Sequence, residues 1–192
     1  MSAHRFDPAK LPKLNDPARF IDLIPERIWD AFGVTDPETV IELGAGTGIF
    51  SVEFAKLLGD GVIYAVDSEP LMLQWMAEHL PRELDGIVIP VDADVGSIPL
   101  PNGIADLVYS INLHHEVEDA GSVLREAKRL LHPGGVVGIV DWRLEDSKPG
   151  PPLAARVGGA AIAQQAEDAG FSDVRMLDVL PRHDIVVGRR IG

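Results

Sequence analysis

The chain has 192 residues, 46% of them hydrophobic and none of them cysteine, and its 17 basic and 30 acidic side chains give a formal net charge of −13. A single domain of this length buries about 70% of its extended surface and needs no disulfide or structural metal, and the lack of cysteine also removes thiolate zinc sites and a cysteine nucleophile. The negative charge opposes approach to a nucleic-acid backbone, and no lysine or arginine cluster offsets it, so nucleic-acid substrates are disfavoured.

The first eight residues, Met1-Ser2-Ala3-His4-Arg5-Phe6-Asp7-Pro8, carry no apolar run of the signal type. The longest later apolar stretch, around residues 136–140, is far too short to span a bilayer. A cytoplasmic protein without a membrane span is expected. Asp16-Pro17 reads as a helix cap followed by proline at the first helical position, and Pro25 should start a second helix, so two short helices are predicted over 17–32. After Gly33 strands and helices alternate: strand 39–43, helix 48–58, strand 62–66, helix 70–79 and strand 87–91. Then come strand 106–111, helix 119–131, strand 136–141 and a helix at about 155–169. This order implies an α/β fold with a mostly parallel sheet covered on both faces. Between 92 and 105, Pro99, Pro101 and Gly103 leave room for a short crossover helix or none. The last two runs, 174–180 and 184–189, are separated only by Pro181-Arg182-His183, which forces an antiparallel pair. Residues 148–152, Lys-Pro-Gly-Pro-Pro, form the one obvious stiff loop.

The chemistry is concentrated in Val40-Ile41-Glu42-Leu43-Gly44-Ala45-Gly46-Thr47-Gly48, an apolar strand that breaks into a glycine turn. Glycine permits positive φ and lets a ligand approach where a Cβ would collide. A dinucleotide fingerprint would require a further glycine at the position of Ile49, and that match fails. Glu42 would repel a pyrophosphate but attract an ammonium or sulfonium group, and S-adenosylmethionine carries both. Asp67 ends the next apolar run, where nucleoside-binding α/β folds place a carboxylate for the ribose hydroxyls. That position suits adenosine in general and does not separate NAD from S-adenosylmethionine.

With these residues the chain resembles the class I S-adenosylmethionine-dependent methyltransferases. Glu42 to Gly48 is similar to their glycine motif, Asp67 falls at their ribose acid, and Asp94-Val95-Gly96-Ser97-Ile98-Pro99 resembles their Asp-Ala-x-x-Leu-Pro segment beside the adenine. Ala105-Asp106-Leu107-Val108-Tyr109-Ser110, followed by Leu113-His114-His115, is similar to their fourth strand, and Leu124-Arg125-Glu126-Ala127-Lys128-Arg129-Leu130-Leu131-His132-Pro133-Gly134-Gly135 to their fourth-to-fifth connection. The branch it resembles most is that of the ubiquinone and menaquinone biosynthesis methyltransferases. The resemblance implies a single-domain, Rossmann-like, doubly wound sheet of order 3-2-1-4-5-7-6, with the last strand antiparallel. It also implies a helical arm over residues 1–34 and a cofactor-binding domain over 35–192. Cofactor contacts are then expected from Glu42, Gly44, Ala45, Gly46, Gly48, Asp67, Ser68, Met72, Asp94, Val95 and Asn112.

Each of these residues also has a plainer reading. Glu42 could cap backbone donors of the turn, Asp92 is a second candidate for the adenine contact, and Met72 could be ordinary core. His114 and His115 follow the fourth strand where the methyl group would lie, and histidine has the most suitable unperturbed pKa for a general base. The alternative is that they only shape the pocket; no second set of ligands has metal-binding spacing, so no metal is expected. Trp142 and Arg143 could line the acceptor pocket, His183 reads as structural, and the arm reads equally as a lid or as cover for one sheet face. The expected activity is methyl transfer to a small or hydrophobic acceptor, as a monomer or homodimer. A non-catalytic S-adenosylmethionine-binding protein and an NAD-dependent oxidoreductase are the alternatives.

Overall fold

A computed structural model describes residues 11–148 and 150–192. Seven strands form one sheet in the order β3-β2-β1-β4-β5-β7-β6. They are β1 (Thr39–Leu43), β2 (Val62–Asp67), β3 (Val88–Asp92), β4 (Ala105–Ile111), β5 (Leu131–Trp142), β6 (Phe171–Leu177) and β7 (His183–Arg190). The first five run parallel, and β7 lies antiparallel between β5 and β6. The expected sheet order and the inserted antiparallel strand are both borne out. The helices are α1 (Leu11–Leu14), α2 (Pro25–Phe32), α3 (Ile49–Ala55), α4 (Pro70–His79), α5 (Ala120–Leu130) and α6 (Gly159–Asp168).

Alternation along the central strand divides the core. Leu107, Tyr109 and Ile111 of β4 pack on one face with Ile28, Trp29 and Phe32 of α2 and Phe50 and Phe54 of α3. Val108 turns to the other face, among Val123, Leu124 and Ala127 of α5 and Ile162 and Ala166 of α6. Helix α2 starts with Pro25 at its first position and ends at Gly33, φ 64°. Its apolar residues at 28, 29 and 32 make one stripe, and this buries it directly on the sheet. The approach is close because β5 carries Gly138, where a Cβ would sit 2.5 Å from Phe32 Cδ1.

The two short helices expected over 17–32 are present, the first as a 3-10 helix (Pro17–Ile21) capped by the Asp16 side chain on the Ala18 amide at 2.9 Å. Several boundaries differ from expectation. Helix α3 stops at Ala55 rather than 58, and α6 begins at Gly159 after a separate 3-10 turn (Leu153–Ala155). Strand β5 begins five residues early because Leu131 already pairs with Ala105, the register then shifting before Leu107 meets Val136. Strand β6 runs 171–177 rather than 174–180, because a bulge at Asp173, φ 50°, lets Phe171 and Ser172 pair with Arg190 and Arg189. The link to β7 is therefore 178–182, not three residues. The stiff loop contains Pro149, which lies outside the described residues, as does the stretch 1–10 of the arm.

No helix forms between β3 and β4. Two side chains of α5 satisfy the backbone of that crossing instead: Glu126 Oε1 accepts from the Ile98 amide at 2.7 Å, and Arg129 donates to the carbonyls of Ile98 and Leu100, both at 2.9 Å. At the amino ends of the strands Asp106 accepts from the amides of Glu38 and Thr39 and pairs with His132 at 2.9 Å, which fastens β1, β4 and β5 there. The opposite edge, where five parallel strands end, is where ligands of open α/β sheets bind.

Candidate active site

The glycine turn at the end of β1 is held from two sides. The Ala45 amide donates to the Val66 carbonyl at 2.9 Å, and the Gly46 amide donates to Asp67 Oδ2 at 2.7 Å. Asp67 Oδ1 accepts from the Glu69 amide at 2.9 Å, so one carboxylate pins both the turn and the start of the loop into α4. Each oxygen keeps a second lone pair for a ribose hydroxyl. Burial pushes the Asp67 pKa up, against the opposing pull of those amide donors. Gly44, φ 66°, is required by more than its dihedral, since a Cβ there would meet Leu113 Cδ1 at 2.7 Å. Gly46, φ 58°, has nothing within 4 Å of where its Cβ would be, so its face is open to a ligand. Gly48, φ 76°, leads into α3.

Glu42 is 2% exposed on β1, between Ala65 and Tyr109 of the neighbouring strands. The expected alternative, that it caps amides of the turn, is not what the structure shows: its Oε2 accepts from the hydroxyl of Ser51 in α3. The Tyr109 hydroxyl lies beside the same carboxyl without a partner in hydrogen-bonding geometry. Burial pushes the Glu42 pKa up to about 7, against the influence of Ser51, Tyr109 and the positive charge of Arg19. Such a group would gain most from a cation placed beside it.

On the adenine side Asp92 and Asp94 are both exposed. They do not share one extended run, because Asp94 turns the chain. Its Oδ1 accepts from the Gly96 amide at 2.8 Å and its carbonyl from the Ser97 amide at 2.9 Å. Val95 is half-buried and packs on the core of the α5–α6 face. Ser68 is exposed after β2, and Met72 is buried in the first turn of α4.

Past β4, Asn112 takes the left-handed conformation, φ 58°, with its amide on the Val140 carbonyl at 2.8 Å and its side-chain oxygen buried without a partner. A non-glycine residue in this region is strained, and such positions gather at functional sites. The two histidines then separate. His114 turns into the α5–α6 face, its Nε2 2.7 Å from Gln165 Oε1 of α6. His115 is held over the end of β5: its Nδ1 lies 2.8 Å from Asp141 Oδ1 and its amide donates to Asp141 Oδ2 at 3.0 Å. Its Nε2 faces the exposed Glu116 at 3.7 Å. Burial lowers the His115 pKa, but the hydrogen bond and charge of Asp141 outweigh it, and the net direction is up.

Arg143, one of the two residues read as able to line the acceptor pocket, has its guanidinium engaged within the fold. Its guanidinium pairs with Asp178 and donates to the carbonyls of Leu180 and His183, which staples the hairpin before β7. Trp142 is sandwiched between the His183 ring, centroids 4.1 Å apart, and the Arg156 guanidinium, 5.2 Å away. His183 is fully buried, and neither ring nitrogen has a partner; burial drives its pKa to about 3, so the ring is neutral. Ser51, Asp141 and the Glu126–Arg129 clip were not singled out from the sequence. Asp141 carried the signal that marked Asp67, an acid at a strand end; the others carried none. Among the described residues no cluster of three or more His, Asp or Glu is placed to hold a metal, and no helix is long and apolar enough to cross a membrane.

The residues present fit S-adenosylmethionine. The open face of Gly46, the second lone pairs of Asp67, and the buried unpartnered oxygens of Thr47 and Asn112 surround one strand edge. A mostly parallel sheet of this order, with β7 inserted antiparallel and a glycine turn between two acids at that edge, defines a nucleoside-binding α/β protein of the class I methyltransferase type. Comparison with known proteins narrows this. The model of a family described as "Methyltransferase domain" matches residues 41–139. The ubiquinone/menaquinone biosynthesis C-methyltransferase UbiE of Ectopseudomonas mendocina is 32% identical over 138 residues, 68% of this chain and 52% of that protein. UbiE of Escherichia coli O9:H4 is 33% identical over 132 residues, 64% of this chain and 50% of its own. The chain thus spans about half the length of the curated relatives it matches. Among solved structures, a SAM-dependent methyltransferase from Aquifex aeolicus superposes with a TM-score of 0.88 at 28% identity, over 97% of this chain and all of that one. Human N-acetylserotonin methyltransferase in complex with SAM shares the fold, with a TM-score of 0.71 at 20% identity over 88% of this chain and 52% of its own. The chain belongs to the methyltransferase domain family, among the class I S-adenosylmethionine-dependent enzymes.

Proposed function

We propose that the chain transfers the methyl group of S-adenosylmethionine to a small or hydrophobic acceptor presented at the ends of β4 and β5. The observation that carries this reading is the glycine turn pinned to Asp67 beside a buried, cation-seeking Glu42. Bound there, S-adenosylmethionine supplies an electrophilic methyl on a sulfonium. The chain's part is then mainly to place two reactants in line, which can account for much of the acceleration. Glu42, Gly44, Ala45, Gly46 and Gly48 hold the methionine end with Asn112, Asp67 and Ser68 hold the ribose, and Asp94, Val95 and Met72 hold the adenine. His115 is the side chain fit to take a proton from the acceptor at Nε2, with Asp141 fixing its tautomer and orientation. His114, engaged with Gln165, shapes the floor of the site.

The likeness to UbiE proteins favours a planar, hydrophobic acceptor. The test is calorimetric titration with S-adenosylmethionine, S-adenosylhomocysteine and NAD on wild type and Asp67→Ala, followed by transfer of labelled methyl to a panel of quinols and phenols. Binding of both adenosyl ligands but not NAD, with label appearing in an acceptor, is expected. Tight cofactor binding with no transfer to any acceptor would favour a non-catalytic binding protein.

A further inference from the structure

Arg19 stands in the 3-10 helix before α2, and the chain brings it to the same edge as Glu42. Its guanidinium carbon lies 5.0 Å from the centroid of the Phe50 ring, in the first turn of α3, and the Phe20 and Phe50 rings meet edge to face at 5.6 Å. The next residue of α3, Ser51, donates to Glu42. Arg19 and Glu42 are close enough that each feels the other's charge, and that of Arg19 reaches His183 as well. Among the described residues, the Arg19 guanidinium makes one hydrogen bond, from Nη1 to the Leu14 carbonyl at 2.8 Å. Arg129, Arg143 and Arg156, which are also drawn inward, engage their guanidinium groups with several carbonyls and carboxylates. A guanidinium has five donors in a fixed fork matched to a carboxylate. Arg19 thus presents most of its donors, and a full positive charge, next to a buried acid that seeks a cation.

The methionine end of the cofactor carries an ammonium and a carboxylate on one carbon, so a site that binds both needs a negative and a positive side chain as neighbours. Glu42 without Arg19 would attract the ammonium and repel the carboxylate. Resting on the methyltransferase reading above, we propose that Arg19 binds the α-carboxylate of the methionine moiety, so that the segment 16–24 is fastened over the cofactor by the ligand itself. The same segment is tied to the β6–β7 hairpin by an Asp22–Arg182 ion pair at 3.2 Å. An acid on the methyl acceptor is the other carboxylate Arg19 could meet, and the choice of probes separates the two.

The test compares dissociation constants of S-adenosylmethionine, S-adenosylhomocysteine and 5′-methylthioadenosine, the last lacking the whole amino-acid end, on the full chain and on Arg19→Met. The first two are expected to weaken by about tenfold or more and methylthioadenosine by less than about twofold, because only the former lose a charge-assisted pair. Arg19→Lys should recover part of the loss, and Arg19→Gln, which keeps a donor for Leu14, should not. Unchanged affinity for S-adenosylhomocysteine would overturn the proposal and point to an acid on the acceptor. Equal weakening of all three ligands would also overturn it, leaving Arg19 as packing for the arm. A wild type that binds methylthioadenosine and S-adenosylhomocysteine keeps the methyltransferase reading standing whichever way the Arg19 variants fall; a wild type that binds none of the three overturns both.

Discussion

Replacing Glu42 by Gln should make the protein more stable at neutral pH while weakening its hold on the cofactor. In the folded chain burial raises the Glu42 pKa from 4.5 to about 7. Between these values the native state binds a proton that the unfolded state has lost, so stability falls as pH rises through the window and the loss is complete above about pH 7. At about 1.4 kcal/mol per pH unit the penalty reaches about 3 kcal/mol. Glutamine is close in shape, keeps an oxygen for Ser51 and cannot ionise. Urea denaturation of both proteins at pH 5 and pH 8, without ligand, measures the effect. The gap in unfolding free energy should move by about 2–3 kcal/mol in favour of the variant between the two pH values. Calorimetry at pH 8 should show S-adenosylmethionine bound at least about tenfold more weakly by the variant, since a buried counter-charge is gone. A stability difference that does not change with pH would refute the reasoning, because Glu42 would then be ionised at little cost.

Asp67→Ala removes the partner of the Gly46 and Glu69 amides as well as the proposed ribose contact, and affinity for S-adenosylhomocysteine should fall on the order of a hundredfold by calorimetry. Retained affinity would show that the ribose is held elsewhere. Gly138→Ala places a Cβ against the Phe32 ring and should cost about 1–3 kcal/mol in a denaturant titration; an unchanged midpoint would mean that α2 shifts freely on the sheet. Asp141→Asn should lower the pKa of His115, read by NMR titration of the ring, because the carboxylate is what raises it above 6.5 against burial. In the wild type this pair stabilises the fold below pH 6.5, and that contribution fades as pH rises through the raised pKa. Once an acceptor is found, transfer should increase as His115 loses its proton, with the inflection at lower pH in Asp141→Asn than in wild type. Coincident profiles would remove His115 as the base.

The parallel half of the sheet was legible because its signals are local. Apolar runs, glycines and terminal acids from Val40 to Asp67 mark strand ends directly, and β1, β2 and α4 fall within a residue of expectation. Strand β6 was misplaced by three residues because a bulge at Asp173 depends on pairing with Arg189 and Arg190 far along the chain. The residues that hold the site in place were missed for the same reason. Ser51 meets Glu42 across a turn, and Glu126 with Arg129 reaches back to a loop about 30 residues earlier. The two histidines are adjacent in sequence, and only packing decides that one meets Gln165 and the other Asp141.

Strand β7 runs against the five strands that build the cofactor half, so its beginning, not its end, meets the ligand edge, with His183 opposite Trp142. What borders the edge on that side is consequently the hairpin 178–182. A hairpin of this kind tolerates insertion and deletion cheaply, since doubling a loop costs only about 0.6 kcal/mol in closure entropy. Descendants of this sequence can therefore diversify that side of the ligand edge by changing the hairpin's length, while the register of all seven strands is inherited unaltered.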